Sequence, residues 1–239
     1  MRIAIFISGH VRTLFYKFHE NISLIKEKIP DCKVDVFYSF WDDPSRSERI
    51  NDPWHYKACY EQPKIHVDTI DSYFIDGGAS NVKGEIESSD KMKSVMENSF
   101  FSQPHISSQY YKKNRVVEKY YNHSYDFYVQ MRSDIIIADF PTRKNIEEIS
   151  DKDVLVVNEN YWYKEPYVGR DCNEMITCSG KNVFKQMNQL YSYEEKLAKQ
   201  IPSTLHHGEM VTGTHFNNML ASGVIDTVLS FDFDYRIVR

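Results

Sequence analysis

The sequence predicts an α/β domain with a mostly parallel central sheet covered by helices on both faces. Three observations carry that prediction. Short apolar runs too brief for helices are each followed by a stretch of helical periodicity. Their β-branched and aromatic composition suits strands buried on both faces, as parallel strands are. Polar and charged residues cluster directly after the runs, where an open α/β sheet presents its ligand-binding rim. At 239 residues the chain is long enough for one such domain with a sizeable core.

Taken in order, Ile3–Ile7 reads as a buried first strand, and Ser8-Gly9-His10-Val11-Arg12-Thr13 follows at once. Leu14, Phe15, Phe18, Ile22, Ile25 and Ile29 recur at helical spacing until Pro30 ends the helix. The intervening turn can meet an anion, with Arg12 adding positive charge, although neither a P-loop nor a G-x-G-x-x-G motif is present. A tight turn with an exposed arginine is the competing reading. Lys33–Phe40 reads as a second strand that leaves through Trp41-Asp42-Asp43-Pro44, two acids beside an indole that suit a nucleobase, a ribose, a metal or simply a turn. Lys64–Ile70 alternates as a strand. Asp71–Asp90, with Gly77, Gly78 and Gly84, reads as a mobile loop or lid. Helices are expected over Lys91–Phe101 and from Ile106 to about Tyr121.

The stretch Tyr125–Phe140 is the centre of the pattern. It opens as an aromatic strand, places Arg132 and Asp134 on either side of Ser133, and continues Ile135-Ile136-Ile137. A buried strand holds unpaired charges only at high cost, so Arg132–Asp134 is expected where the strand ends and the chain turns at the rim. An aspartate there can hold a divalent cation, and the cation a phosphate. An Arg–Asp pair that merely closes a strand end fits the same residues. A short polar helix after Pro141, a strand over Val154–Val157, a surface loop over Asn158–Asp171 and a short strand over Met175–Cys178 follow. A helix then runs to about Lys199. His206-His207-Gly208-Glu209 opens another that Gly223 ends, Val224–Phe231 is a last strand, and Asp232–Arg239 reads as a polar tail.

Composition narrows the class. Lys+Arg 29 against Asp+Glu 34 gives a formal net charge of −5, which argues against general nucleic-acid binding. Tyrosine (17), phenylalanine (14) and tryptophan (3) are plentiful; Tyr and Trp suit sugar-facing surfaces as well as cores. Cys32, Cys59, Cys172 and Cys178 form no C-x-x-C pair and no zinc spacing, so reduced thiols in a cytoplasmic protein are expected. No apolar run has the length of a signal-peptide core or a membrane span; a soluble protein is expected, with any membrane contact made through its substrate.

S-G-H-V-R-T after the first strand, D-V-F-Y-S-F-W-D at the second, Y-D-F-Y-V-Q-M-R-S-D-I at the centre, then D-C-N-E-M-I-T-C-S-G and H-H-G-E-M form an ordered set over most of the chain. The set resembles nucleotide-sugar-dependent glycosyltransferases of the GT-A fold, small enzymes of bacterial surface-polysaccharide loci and large DNA viruses. The resemblance implies one GT-A-like, Rossmann-like domain over 1–239, with a nucleotide-binding half over 1–140 and an acceptor-side half over 141–239. It implies a nucleotide-diphosphate sugar as donor, a glycan or glycoconjugate as acceptor, and a divalent cation, Mn2+ or Mg2+. Arg132-Ser133-Asp134 then stands where the family's Asp-x-Asp motif stands, with Arg132 in place of the first acid and Asp134 as the metal contact. Ser8, Gly9, His10 and Arg12 line the nucleotide pocket with Trp41, Asp42, Arg132 and Ser133. Asp171 and Glu209 match acceptor-side acids, one of them the base, and His206 or His207, with His207 preferred, supplies a late metal ligand. Glu209 equally fits a helix N-terminus alone, where the dipole weakens it as a base; that favours Asp171. The competing classes are another α/β transferase, such as a methyltransferase, and a non-catalytic carbohydrate-binding protein.

Overall fold

The computed structural model describes residues 1–11, 13–42, 65–157, 175–231 and 235–237. The chain begins with β1 (Arg2–His10), α1 (Leu14–Lys17), α2 (His19–Lys28) and β2 (Lys33–Trp41). The single helix expected over 14–29 is divided at Phe18, and its buried face is the expected one. Next come α3 (Val67–Asp76), β3 (Asn81–Glu87), α4 (Ser89–Glu97) and α5 (Pro104–Tyr120). The central stretch divides into β4 (Phe127–Arg132) and β5 (Ile135–Ile137), and α6 (Arg143–Glu147), β6 (Asp153–Val157) and β7 (Ile176–Ser179) follow. The last part holds α7 (Phe184–Met187), α8 (Glu194–Gln200), α9 (Gly208–Ala221), β8 (Thr227–Phe231) and β9 (Tyr235–Ile237).

Seven strands form one sheet in the order β3-β2-β1-β4-β7-β6-β8. β1 pairs in parallel with β2 and β4, β2 with β3, and β6 with β8. β7 runs antiparallel to both β4 and β6, so the sheet is mostly parallel with one reversed strand. Alternation along β1 explains why both faces are covered. Ile3, Ile5 and Ile7 pack with Leu14, Phe18, Ile22, Ile25, Ile70 and Phe74 from α1, α2 and α3. Ala4 and Phe6 point the other way, toward Val116 and Val117 of α5, Phe184 of α7, and Phe216 and Met219 of α9. The architecture is α/β and compatible with a Rossmann-like fold.

Three expectations are corrected. The segment expected as a strand over Lys64–Ile70 is helical from Val67, because Ile70 and Phe74, four apart, are the residues buried against the core. The expected lid over Asp71–Asp90 contains the end of α3 and the edge strand β3. An edge strand needs little apolar periodicity, and β3 carries charges that discourage further pairing. Gly84 is required there, because a Cβ would lie 2.2 Å from the Tyr38 ring. The expected polar tail contains β9, which pairs with β5 in a separate two-stranded sheet. The expected loop over Asn158–Asp171 lies outside the described residues, as do Cys59 and Cys172; Cys32 and Cys178 are buried free thiols. Among the described residues no helix is long and apolar enough to cross a membrane.

Besides its pairing with β9, β5 is held by one side chain. Asn21, fully buried on α2, donates from Nδ2 to the Ile135 carbonyl at 2.8 Å and accepts at Oδ1 from the Ile137 N–H at 2.9 Å. It substitutes for a neighbouring strand. Asn21→Leu leaves a buried carbonyl and a buried N–H without partners, at about 1–3 kcal/mol each. Denaturant unfolding of this variant is expected to show a loss of about 3 kcal/mol; an unchanged midpoint would show that β5 does not depend on Asn21.

Candidate functional site

The parallel register brings the carboxyl ends of three strands to one level. Ser8 of β1 is paired with Arg132 of β4, and His10 of β1 with Trp41 of β2. The chain leaves β1 toward one face of the sheet and reaches β4 from α5 on the other. In open α/β sheets a crevice forms where the connections diverge in this way, and ligands bind there. A cleft of about 70 Å³ lies at that place. Ser8, Gly9, His10, Trp41, Arg132, Ser133 and Asp134 line it, seven residues that the motifs had singled out from three separate stretches. Arg12 and Asp171 lie outside the described residues. The enclosed volume is well below the roughly 300–1,000 Å³ of a pocket that swallows a drug-sized ligand. It suits one group of a larger ligand.

Gly9 has φ +113°, a conformation that residues with a Cβ rarely adopt, and this lets β1 end while the backbone still lines the cleft. Ser133 donates to the His10 carbonyl and holds the β4 turn against the end of β1. Arg132 and Asp134 form a two-toothed ion pair: Nε to Oδ1 at 2.9 Å and Nη2 to Oδ2 at 2.6 Å. The Asp134 side chain is 0% exposed and that of Arg132 13%, so the charges compensate each other in a poorly solvated place. Arg132 Nη1 also points at the Met175 sulfur, 2.9 Å away.

This pairing bears on the expected metal. Both Asp134 carboxylate oxygens are engaged by a cation of the protein itself, and among the described residues no three His, Cys, Asp or Glu side chains gather as a metal-binding group. Among the described residues, then, Asp134 and His207 belong to no metal-binding group of three such side chains.

Trp41 and Asp42 are placed differently. Trp41 lines the cleft but is no open stacking platform. It is 0% exposed, with the Tyr111 ring stacked at 5.6 Å and Lys112 Nζ 4.1 Å from its ring centroid. Asp42 turns to the start of α4, where its Oδ1 accepts from the Ser89 N–H at 2.6 Å, a partner that helix N-termini offer to carboxylates.

The two adjacent histidines differ. His206 is buried; its Nδ1 accepts from the Ser102 N–H at 2.9 Å and its Nε2 lies 3.0 Å from the Ile201 carbonyl, so it staples loops together. Nδ1 of His207, at the N-cap of α9, lies 3.4 Å from the Met210 N–H and 3.1 Å from Glu209 Oε2; it accepts from the first or, when protonated, donates to the second, never both at once. The contact with His207 is the main reason the Glu209 carboxyl is held below the usual carboxylate range; the more distant Arg132 charge adds to it. Neither His207 nor Glu209 is among the residues that line the cleft, but the start of α9 packs against α5, which forms one of its walls. Tyr110 of α5 fixes it there, donating to the Gly208 carbonyl at 2.7 Å.

Sequence reasoning missed one wall. His105, Ser108 and Gln109 of α5 line the cleft, and Lys112 lies one turn further on beneath Trp41. The available signal was polar residues at i, i+3, i+4 and i+7 in a helix whose Ile106, Tyr110, Val116 and Val117 are core. Lys112 is fully buried, bonded to Glu87 at 2.7 Å and Ser39 at 3.2 Å; burial pulls its ammonium down to about 8, against the opposing pull of Glu87. A larger cavity of about 600 Å³ lies at the opposite strand ends. Its Arg2 is paired with Asp35 at 3.2 Å, its Lys119 with Glu85 at 2.6 Å, and its Tyr125 hydroxyl donates to Asp35, so we regard it as structural.

Removing one member of the Arg132–Asp134 pair leaves the other charge buried. Arg132→Met is expected to lower stability by about 3 kcal/mol or more, and adding Asp134→Leu to recover most of that loss. Denaturant unfolding of both variants checks this; equal stabilities for Arg132→Met and wild type would mean that Asp134 finds solvent.

No protein-family model matches the sequence, and no curated protein matches it.

Proposed function

We propose that the chain is a glycosyltransferase of GT-A type, moving a sugar from a nucleotide-diphosphate donor to a hydroxyl of a glycan or other acceptor. The observation that carries this reading is the convergence at the switch-point cleft. Ser8–His10, Trp41 and Arg132–Asp134, distant in sequence, meet there.

In the reaction, the bond from the anomeric carbon to the diphosphate breaks, a bond to the acceptor oxygen forms, and the acceptor proton passes to a base. Negative charge grows on the leaving diphosphate. Arg132 supplies a guanidinium for it, part of whose charge Asp134 compensates and whose orientation Asp134 fixes, so little reorganisation is needed when charge develops. No step is routed through a metal, since among the described residues Asp134 and His207 belong to no metal-binding group. Glu209 is the base candidate within the described residues. Its lowered pKa keeps it ionised at neutral pH and makes it a modest base. Asp171 remains the other candidate. Val157 and Met175, which flank the segment carrying it, stand at the cleft edge of the sheet; the Met175 carbonyl accepts from the Arg132 N–H at 3.3 Å. A cytoplasmic location is part of the same reading.

The test is release of nucleoside diphosphate from a panel of nucleotide sugars, with and without manganese and with a chelator. Turnover that persists in chelator is expected. Glu209→Gln is expected to lower turnover by about a hundredfold with donor affinity little changed, while Asp171→Asn measured alongside ranks the two acids. If no donor is turned over and none raises the melting temperature, the transferase reading falls.

A further inference from the structure

Buried polar atoms without a hydrogen-bond partner are uncommon, and the place where they gather indicates what is to be bound. Among the described residues four buried side-chain atoms have none: Trp41 Nε1, Gln109 Nε2, Gln130 Oε1 and Thr214 Oγ1. Trp41 and Gln109 both line the switch-point cleft. Gln130 is one bond removed from it, since its Nε2 donates to Oγ of the cleft residue Ser8 at 2.9 Å. Two of the four unsatisfied atoms therefore sit on residues of one small cleft, and a third on a residue bonded to that lining.

Trp41 is not able to escape its unmet bond. It is fully buried, with the Tyr111 ring stacked at 5.6 Å and the Lys112 ammonium over its own ring at 4.1 Å. Lys112 is held in turn by Glu87 and Ser39. A cation on the π face draws electron density toward itself and sharpens the indole N–H as a donor. An indole nitrogen only donates, so the group that completes it must carry an accepting oxygen. Gln109 is more adaptable: turning its amide over exchanges donor for acceptor at the same place.

We propose that Trp41 and Gln109 are the ligand-recognition pair of this cleft. The indole N–H donates to an acceptor-only oxygen of a bound nucleoside diphosphate, and the Gln109 amide completes the contact. The nucleoside diphosphate as ligand rests on the transferase reading; the pair itself rests on the unsatisfied atoms. A phosphate oxygen and a base carbonyl share the required chemistry.

The experiment combines calorimetric titration and thermal unfolding of the full chain as wild type, Gln109→Met and Trp41→Phe. The probes are inorganic pyrophosphate, ADP, UDP and GDP. Both substitutions are expected to weaken binding about tenfold or more, as loss of a hydrogen bond to a charged or buried group does. Without ligand, Gln109→Met is expected to melt about 2 °C higher, because an apolar side chain replaces an unsatisfied amide. Loss shared by pyrophosphate and ADP assigns the oxygen to phosphate. Loss confined to UDP and GDP, whose bases carry carbonyls, assigns it to the base. The proposal is overturned if wild type binds none of the probes, if both variants bind as wild type does, or if both lose several degrees of stability without ligand, which marks structural side chains. Weakened binding in the variants, with no sugar transfer by wild type, supports the pair and sinks the transferase reading. Unchanged binding with intact transfer does the reverse.

Discussion

The Arg132–Asp134 pair is the constraint on which the rest of the site depends. β4 runs through the middle of a sheet covered on both faces, and its last residue is an arginine. Such a charge is tolerable only beside a partner, and Asp134, two residues on, supplies one through two parallel hydrogen bonds. To make that bond the chain must turn at Ser133. The turn is held by the His10 carbonyl, so the ends of β1 and β4 are joined, and the cleft lies where they meet. β5 then departs toward Asn21 instead of extending the main sheet.

Helix α5 is both core and wall. Val116 and Val117 pack on the sheet, while Gln109 and Ser108 face the cleft and Lys112 supports Trp41 from behind. The same helix neutralises the edge strand. Lys112 meets Glu87, and Arg115 and Lys119 meet Glu85, whose carboxyl stays low because those bonds outweigh its burial. Lys112 thus joins the edge-strand carboxylate of Glu87 to the Trp41 wall of the cleft.

The start of α9 shows how adjacent identical residues acquire different work. His206 is surrounded by backbone groups and serves packing; His207, one peptide further, caps a helix and contacts a carboxylate. Tyr110 ties this corner to α5, so any chemistry of Glu209 shares its support with the cleft wall.

The sequence by itself determined the class of the fold and most of one site. Buried parallel strands carry unbroken apolar runs, and polar residues after such runs have only the rim to occupy; hence Ser8–His10, Trp41 and Arg132–Asp134 were legible as one cleft. What only the tertiary structure decided is whatever depends on a partner distant in sequence. The reversal of β7, the strand identity of Asn81–Glu87 and the pairing of Tyr235–Ile237 with β5 are set by neighbours, because short or edge strands have little periodicity of their own. The turn of Asp42 to Ser89, the burial of Trp41 under Lys112 and the cleft face of Gln109 likewise follow from packing. A side chain's hydrogen-bonding capacity is written in its type, but whether that capacity is met is a property of the folded surroundings.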